Sequence, residues 1–169
     1  MKQKNLWILC GIPGAGKSTW VKNKIAESGG FYISRGEVRF SLLGDNEDYF
    51  AHEVEVFDNF VYQIQEALNK GGDVYADATH VNWSSRRKLI ERLCLEGVNV
   101  GAVLFKTTWS ICVERNSQRE GRARVPDEAT RRMDHFLTHP SKDPYKYAML
   151  MNVYSDGGEA IRYDDRIDI

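Results

Sequence analysis

The residues best suited to chemistry lie near the start of the chain, in the segment Gly11–Ser18, which reads GIPGAGKS. This is the G-x-x-x-x-G-K-S spacing of a Walker A phosphate-binding loop. Its glycines let backbone amides close around a phosphate, the Lys17 ammonium can neutralise the β- and γ-phosphates, and the Ser18 hydroxyl can bind Mg²⁺. The segment therefore predicts a site for ATP with Mg²⁺. The residues predicted to contact the nucleotide here are Gly11, Pro13, Gly14, Ala15, Gly16, Lys17, Ser18 and Thr19.

The flanking sequence supplies the elements that such a loop requires. Leu6–Cys10 is an apolar run typical of a buried strand, and residues 17–26 have the apolar spacing of a helix. A strand followed by a helix would place the anion at the helix N-terminus, where backbone NH groups are unpaired. The alternative is a glycine-rich turn that binds nothing.

A second candidate is Asp77, which ends the apolar run Val74–Ala76. If this strand lies beside the first, its carboxylate is near the phosphate loop. There it could hold Mg²⁺ through a water molecule or orient the phosphate acceptor. Aspartate is also common as a loop cap after a strand, and that interpretation stays open.

Four arginines crowd the segment 115–126, namely Arg115, Arg119, Arg122 and Arg124. On a helix, Arg115 and Arg119 would share one face, so both could approach the same phosphate. Phosphoryl transfer needs cations over the transferred group, so we predict that 115–126 is a lid. The alternative is a solvated face on which Glu114 and Glu120 pair with these arginines.

Short apolar runs alternate with longer helical patterns along the chain. Strands are predicted at 6–10, 31–34, 74–77, 98–105 and 160–163, and helices at 17–26, 38–43, 52–68, 84–95, 109–118, 127–137 and 145–151. This order predicts a three-layer α/β fold with a mostly parallel central sheet and a ligand at the carboxyl ends of its strands. With 169 residues, we expect one domain spanning 1–169.

The composition limits which partners the protein is expected to bind and which cellular compartment it suits. A net charge of −1 argues against a protein that coats long nucleic acid, although it permits contact with one chain end. No run reaches membrane-spanning or signal-peptide length, so we expect no membrane contact. The three cysteines, Cys10, Cys94 and Cys112, form no C-x-x-C pair and suit packing roles in a cytoplasmic protein. The histidines lack the spacing of zinc ligands, which leaves nucleotide-borne Mg²⁺ as the expected metal.

Four segments together resemble, in order and approximate spacing, the kinase module of bacterial and bacteriophage polynucleotide kinases. They are GIPGAGKST at 11–19, SRGEVR at 34–39, DATHVN at 77–82 and ERNSQREGRARVP at 114–126. That family moves the γ-phosphate of ATP to the 5′-hydroxyl of DNA or RNA. The resemblance implies a P-loop NTPase fold with ATP and Mg²⁺ bound.

The same resemblance implies roles for individual residues. Lys17 and Ser18 would serve the phosphates and Mg²⁺. Arg39 would lie at the acceptor, with Asp77 beside it. Arg119 would cover the donor phosphates from the lid, and Arg115 is a second lid candidate.

One position departs from the family pattern. The resemblance implies Asp-x-x-Arg after the second strand, with the aspartate accepting the proton of the attacking hydroxyl, but this chain has Gly36 there. A positioned base contributes about 10² to 10⁴-fold, whereas phosphoryl transfer depends mostly on positioning and charge, so slow activity could survive. Glu37, one residue along, and Asp77 are the candidate substitutes.

Three functions stay open at this point. The first is a kinase acting on a polynucleotide 5′-hydroxyl, and the second is a small-molecule kinase for a metabolite or nucleoside, since such enzymes share the loop and the arginine-rich lid. The third is an ATP-binding module that has lost catalysis, as Gly36 would allow. Trp83 and Trp109 could stack on an acceptor base, although packing is the simpler role.

Overall fold

The computed structural model describes residues 2–163, whose strands form a six-stranded sheet. The strands are β1 (Lys4–Cys10), β2 (Phe31–Ser34), β3 (Gly72–Asp77), β4 (Val98–Lys106), β5 (Met149–Tyr154) and β6 (Glu159–Tyr163). The helices are α1 (Lys17–Ser28), α2 (Arg35–Leu42), α3 (Glu53–Lys70), α4 (Trp83–Arg92), α5 (Trp109–Ser117) and α6 (Asp127–Phe136). Short 3₁₀ turns occur at Gly121–Ala123 and Pro140–Lys142.

The strand order across the sheet is β2-β3-β1-β4-β5-β6, and each neighbouring pair is parallel except β5 with β6. Helices cover both faces because alternate residues of β1 point to opposite sides. Leu6 and Ile8 pack in one apolar cluster with α3 and α4, whereas Leu9 packs in another with α1 and α5. The structure thus confirms the predicted three-layer α/β fold with a mostly parallel sheet.

The strand register brings three carboxyl ends together at one edge of the sheet. Asp77, the last residue of β3, is paired with Leu9 of β1 on one side and with Ser34 of β2 on the other. The phosphate loop begins directly after β1. Asp77 therefore lies between the end of β2 and the phosphate loop, as its place after a neighbouring strand predicted.

A network of buried hydrogen bonds, which includes one ion pair, connects the loop after β3 to β1. Arg86 of α4 is fully buried, and its Nε and Nη2 atoms each donate to a carboxylate oxygen of Asp143 at 2.7 Å. Its Nη1 donates to the backbone oxygen of His80 at 2.8 Å, and His80 Nδ1 donates to the backbone oxygen of Leu9 at 2.8 Å. Burial lowers the pKa of the His80 imidazole to about 3, so this ring is neutral near pH 7. These bonds hold the residues that follow Asp77 against the end of β1.

The end of the chain corrects one prediction and bears out another. The helix predicted at 145–151 is wrong, because Met149–Tyr154 forms strand β5, parallel to β4. Its alternating contacts with both apolar clusters are those of a strand buried on both faces, and such a run cannot be distinguished from a short helix by sequence periodicity. The strand predicted at 160–163 is confirmed as part of β6.

Two smaller differences also matter. Helix α2 begins at Arg35, three residues before the predicted start, because the Ser34 hydroxyl caps it by accepting a hydrogen bond from the backbone NH of Glu37 at 3.2 Å. Cys10 and Cys112 are buried as expected, but Cys94 is exposed, so a packing role for it is wrong. Within residues 2–163, no helix combines the length and the apolar character needed to cross a membrane.

Candidate active site

The phosphate loop turns tightly between β1 and α1. Gly14 and Gly16 have φ values of +84° and +97°, a region that residues with a side chain rarely adopt. A Cβ atom at Gly14 would also overlap the backbone carbonyl of Cys112. Gly14 is therefore required by both its backbone conformation and close packing, and Gly16 by its backbone conformation.

Lys17 is the first residue of α1, and its ammonium curls back over the loop. Nζ donates to the backbone oxygens of Gly11 at 2.8 Å and Ile12 at 3.1 Å. Burial lowers the pKa of Lys17, the Asp77 carboxylate opposes this shift, and the Arg119 cation adds to it. A desolvated cation that faces a second cation is well suited to bind an anion, because the anion would relieve both effects.

A cleft of about 970 Å³ follows the carboxyl edge of the sheet across the phosphate loop. Towards β2 it is lined by Tyr32, Arg35, Gly36, Arg39, Tyr49, Phe50, Glu53 and Asp77, a group that we call the β2 side. Towards β5 it is lined by Arg115, Arg119 and the turn residues 154–157, which we call the β5 side. Ligand pockets measure about 300–1,000 Å³, so this cleft has room for a nucleotide and part of a second molecule.

Asp77 lines the cleft and is held by a residue that the sequence did not point out. The Tyr32 hydroxyl donates to Asp77 Oδ2 at 2.6 Å. Burial raises the pKa of Tyr32, and the neighbouring Asp77 carboxylate raises it further, so the phenol keeps its proton. Tyr32 thereby fixes the orientation of the Asp77 carboxylate. The available sequence signal was that Tyr32 and Ser34 are two apart at a strand end and so share one face of the sheet.

Arg39 enters the β2 side of the cleft from α2. Its Nε and Nη2 atoms both lie 2.8 Å from Glu53 Oε1, and its Nη1 donates to the Tyr49 hydroxyl at 3.1 Å. Arg35 Nη2 lies 3.0 Å from the other oxygen of Glu53. Two arginines on this side of the cleft therefore share the single carboxylate of Glu53. Glu53 was not among the predicted residues, because nothing local in the sequence links it to Arg39.

The structure separates Gly36 from Glu37. Gly36 lines the cleft in the first turn of α2, and a Cβ atom there would meet only the Ser34 hydroxyl, at 3.5 Å. Glu37 is exposed and is absent from the cleft lining. A shift of one residue along a helix turns the side chain by about 100°, so the extra length of glutamate does not compensate. We do not retain Glu37 as a substitute base.

The lid segment 115–126 comprises the end of α5, a loop and a 3₁₀ turn. Arg115 and Arg119 both line the cleft, and Arg115 Nη1 donates to the backbone oxygen of Gly14 at 3.3 Å. Over the described range 2–163, neither forms an ion pair with a carboxylate, which leaves no support for pairing with the neighbouring glutamates. Arg122 and Arg124 lie outside the cleft lining, and Arg124 pairs with Asp127 at 3.1 Å.

The predicted tryptophans take packing roles. Trp83 stacks on Tyr145 with ring centroids 6.4 Å apart, and Trp109 packs against the apolar cluster that contains α1. Neither lines the cleft. The aromatic residues that do line its β2 side, Tyr32, Tyr49 and Phe50, were not predicted.

The chemistry of the site fits a nucleotide that brings its own magnesium ion. In the part of the chain that the structure describes, no group of three or more His, Cys, Asp or Glu residues could hold a metal by itself. Ser18 and Asp77 both line the cleft and offer a hydroxyl and a carboxylate. Mg²⁺ takes oxygen ligands and is commonly held by one or two protein groups together with phosphate oxygens and water.

Comparison with known proteins gives one family match. The model of the AAA domain family matches residues 6–140, which include the phosphate loop, Asp77 and the lid segment. The match includes strands β1 to β4, the β2 side of the cleft and the two arginines of the β5 side, and it ends before the turn residues 154–157.

Several solved structures are similar in fold. A chain of the Pnkp1/Rnl/Hen1 RNA repair complex has a TM-score of 0.68 and 21% identity, with coverage of 81% of this chain and 45% of that chain. A fungal RNA kinase has a TM-score of 0.62 and 11% identity, with coverage of 90% and 38%. The APS kinase of Mycobacterium tuberculosis, solved with AMPPNP and APS, has a TM-score of 0.58 and 17% identity, with coverage of 94% and 92%.

These similarities show a P-loop kinase fold and confirm the resemblance to P-loop kinases at that level. This chain spans less than half the length of the RNA repair and RNA kinase chains that it matches. The similar structures include kinases named for RNA and for small molecules, so the shared fold does not distinguish between acceptors.

Proposed function

This chain belongs to the AAA domain family, and from that premise we propose that it is an ATP-dependent kinase whose acceptor is the 5′-hydroxyl of a polynucleotide. The observation that carries the proposal is the composition of the cleft. It joins a phosphate loop and two lid arginines to Asp77 and a second pair of arginines on the β2 side. Such an arrangement fits two anionic molecules bound end to end.

The β5 side and the phosphate loop would bind the donor. Lys17 would bind the β- and γ-phosphates, exchanging its bonds to backbone carbonyls for bonds to phosphate oxygens. Arg115 and Arg119 would neutralise charge that develops on the transferred phosphoryl group. Mg²⁺, held with the help of Ser18 and Asp77, would neutralise further charge on the phosphates.

The β2 side would bind the acceptor. Arg35 and Arg39 share one carboxylate, Glu53, so the two guanidinium groups together could also contact an anionic group of the acceptor. A polynucleotide end carries such an anion, because a phosphate follows its first sugar. An uncharged metabolite lacks it.

Asp77 is our candidate for the group that receives the proton of the attacking hydroxyl. The Tyr32 hydroxyl donates to its Oδ2 atom and fixes the carboxylate, which would either accept this proton or contact Mg²⁺ through a water molecule. Gly36, where the family resemblance implies an aspartate, contributes no titratable group. We therefore expect Asp77 to combine orientation of the acceptor with modest general-base assistance.

A second candidate is a kinase for a small molecule. The APS kinase and a gluconokinase from Sinorhizobium meliloti are covered over 92% and 84% of their lengths, against 45% for the RNA repair chain. The net charge of −1 also favours a small acceptor. A third candidate, an ATP-binding module without transfer activity, is favoured by Gly36 alone.

The test is transfer of labelled γ-phosphate from ATP with Mg²⁺ to short DNA and RNA oligonucleotides that carry a 5′-hydroxyl. A panel of nucleosides and small metabolites serves as the competing set of acceptors. Lys17→Ala should abolish transfer, whereas Lys22→Ala, an exposed lysine on the same helix, should leave it unchanged. Transfer to small molecules alone would replace the proposed acceptor. Tight ATP binding with no transfer would establish the inactive module.

A further inference from the structure

Two adjacent aromatic residues line the β2 side of the cleft on the connection between α2 and α3. Tyr49 and Phe50 contact each other edge to face, with ring centroids 4.7 Å apart. Phe40 of α2 packs edge to face against Tyr49 at 6.1 Å. These three rings form a small group that we call the aromatic platform.

The aromatic platform is separate from the core of the protein. Neither Tyr49 nor Phe50 belongs to the apolar clusters on the two faces of the sheet. Phe50 is 39% exposed although it lines the cleft. Burial of an aromatic side chain is a large favourable term, so this ring still has apolar surface that a ligand can cover.

Positive charge lies directly beside the aromatic platform. The Arg39 guanidinium is 4.6 Å from the centroid of the Tyr49 ring and 5.8 Å from that of Phe50. Arg39 and Arg35 share the carboxylate of Glu53, so two guanidinium groups lie together at this place. A flat apolar surface next to two guanidinium groups matches a nucleotide, which has a flat base and a charged phosphate within a few ångströms of each other.

From this geometry we infer that Phe50, supported by Tyr49, stacks on a nucleobase of the acceptor strand. The stacked base belongs to one of the two nucleotides nearest the 5′ end. This inference rests on the proposed function and extends it: the site would select an end that carries a base over a bare sugar hydroxyl. Phe50 is therefore a residue of substrate specificity and takes no part in the transfer chemistry.

Matched acceptors test the inference. One oligonucleotide has normal bases throughout, and its partner has abasic sugars at its first two positions, with the same backbone phosphates and the same 5′-hydroxyl. Base–aromatic stacking is worth enough to change affinity roughly 5- to 150-fold for each base. We expect kcat/KM for the normal oligonucleotide to exceed that for the abasic one by a factor in this range, mainly through KM.

Variants at the aromatic platform assign the effect to a residue. Phe50→Leu should bring the ratio of the two kcat/KM values close to one, and Phe50→Tyr should restore it because the flat ring is retained. Tyr62→Leu is the control, since Tyr62 is a 64% exposed aromatic on α3 outside the cleft lining and should not alter the ratio. Melting temperatures of all variants would show that each is folded.

The outcomes separate this inference from the proposed function. If the wild-type protein phosphorylates both oligonucleotides equally well, the stacking inference is wrong while the proposed function stands. A preference for the normal oligonucleotide that survives Phe50→Leu would also overturn it. Failure to phosphorylate either oligonucleotide would refute the proposed function itself.

Discussion

Replacing Gly36 by aspartate tests the acceptor geometry most directly. Gly36 is the second residue of α2, its φ lies outside the left-handed region, and a Cβ atom there would meet only the Ser34 hydroxyl at 3.5 Å. The backbone and the surrounding space therefore accept a side chain. An acidic residue in the first turn of a helix is also stabilising by about 0.3–1 kcal/mol. Gly36→Asp should fold at least as well as the wild type.

The expected gain in rate follows from what the site already contains. A positioned general base contributes about 10² to 10⁴-fold, or roughly 3–5 kcal/mol of transition-state stabilisation. Asp77 already faces the cleft and would supply part of this assistance. We therefore expect Gly36→Asp to raise kcat for a 5′-hydroxyl oligonucleotide by about 10- to 10²-fold, with little change in KM for ATP.

The assay is single-turnover transfer of labelled γ-phosphate at saturating ATP and Mg²⁺. Gly36→Asn is the matched control, because asparagine has nearly the same shape and cannot accept the proton. Gly36→Ala measures the effect of a better helix former at this position without an added polar group. If Gly36→Asp is folded but no faster than Gly36→Asn, the attacking hydroxyl does not bind beside the start of α2. The acceptor position that we propose would then be wrong.

Three further predictions concern residues held by the fold. Arg86→Ala should lower the free energy of unfolding by about 3–5 kcal/mol in urea titrations, because it leaves a buried carboxylate unpaired. Since the folded pKa of His80, about 3, lies below its unfolded value, only the unfolded chain gains this proton as the pH falls from about 6 to 4. The free energy of unfolding should therefore decrease as the pH is lowered, by up to about 1.4 kcal/mol per pH unit. His80→Asn should flatten that slope. Tyr32→Phe should lower kcat about 10-fold or more without changing KM for ATP, because Asp77 loses its positioning bond.

Exposed neighbours provide the controls for these variants. Arg87→Ala breaks an exposed pair with Glu91 and should change stability by less than about 0.5 kcal/mol. His135→Gln, at an exposed position of α6, should keep the wild-type pH slope. Tyr62→Phe should keep the wild-type kcat. Equal effects in a variant and its control would contradict the corresponding prediction.

Local sequence patterns determined the parts of the site that are built from consecutive residues. The spacing of the phosphate loop specified its glycines, Lys17 and Ser18, because a tight turn around an anion needs these residue types at fixed offsets. The apolar run before the loop and the helical spacing after it determined β1 and α1. Asp77 could be located because carboxyl ends of neighbouring parallel strands meet at one edge.

Other parts of the site were decided only by tertiary structure. Tyr32 and Asp77 are 45 residues apart, and Arg39 is 14 residues from Glu53, so no local periodicity connects the members of either pair. The direction of Glu37 depended on where α2 begins, which a single hydroxyl cap fixes. One residue of offset left Glu37 exposed and outside the cleft lining.

Strand β5 shows the same contrast between what the sequence determines and what the tertiary structure determines. The residues of β5 are mostly apolar and are buried on both faces, a pattern that suits a buried helix or a buried strand equally well. Pairing along the edge of β4 decides for the strand, because the polar backbone groups of both segments are then satisfied. Sequence alone determines which residues avoid water and which can bind phosphate. The residues that these side chains contact depend on packing between distant segments, which forms only when the whole sheet is assembled.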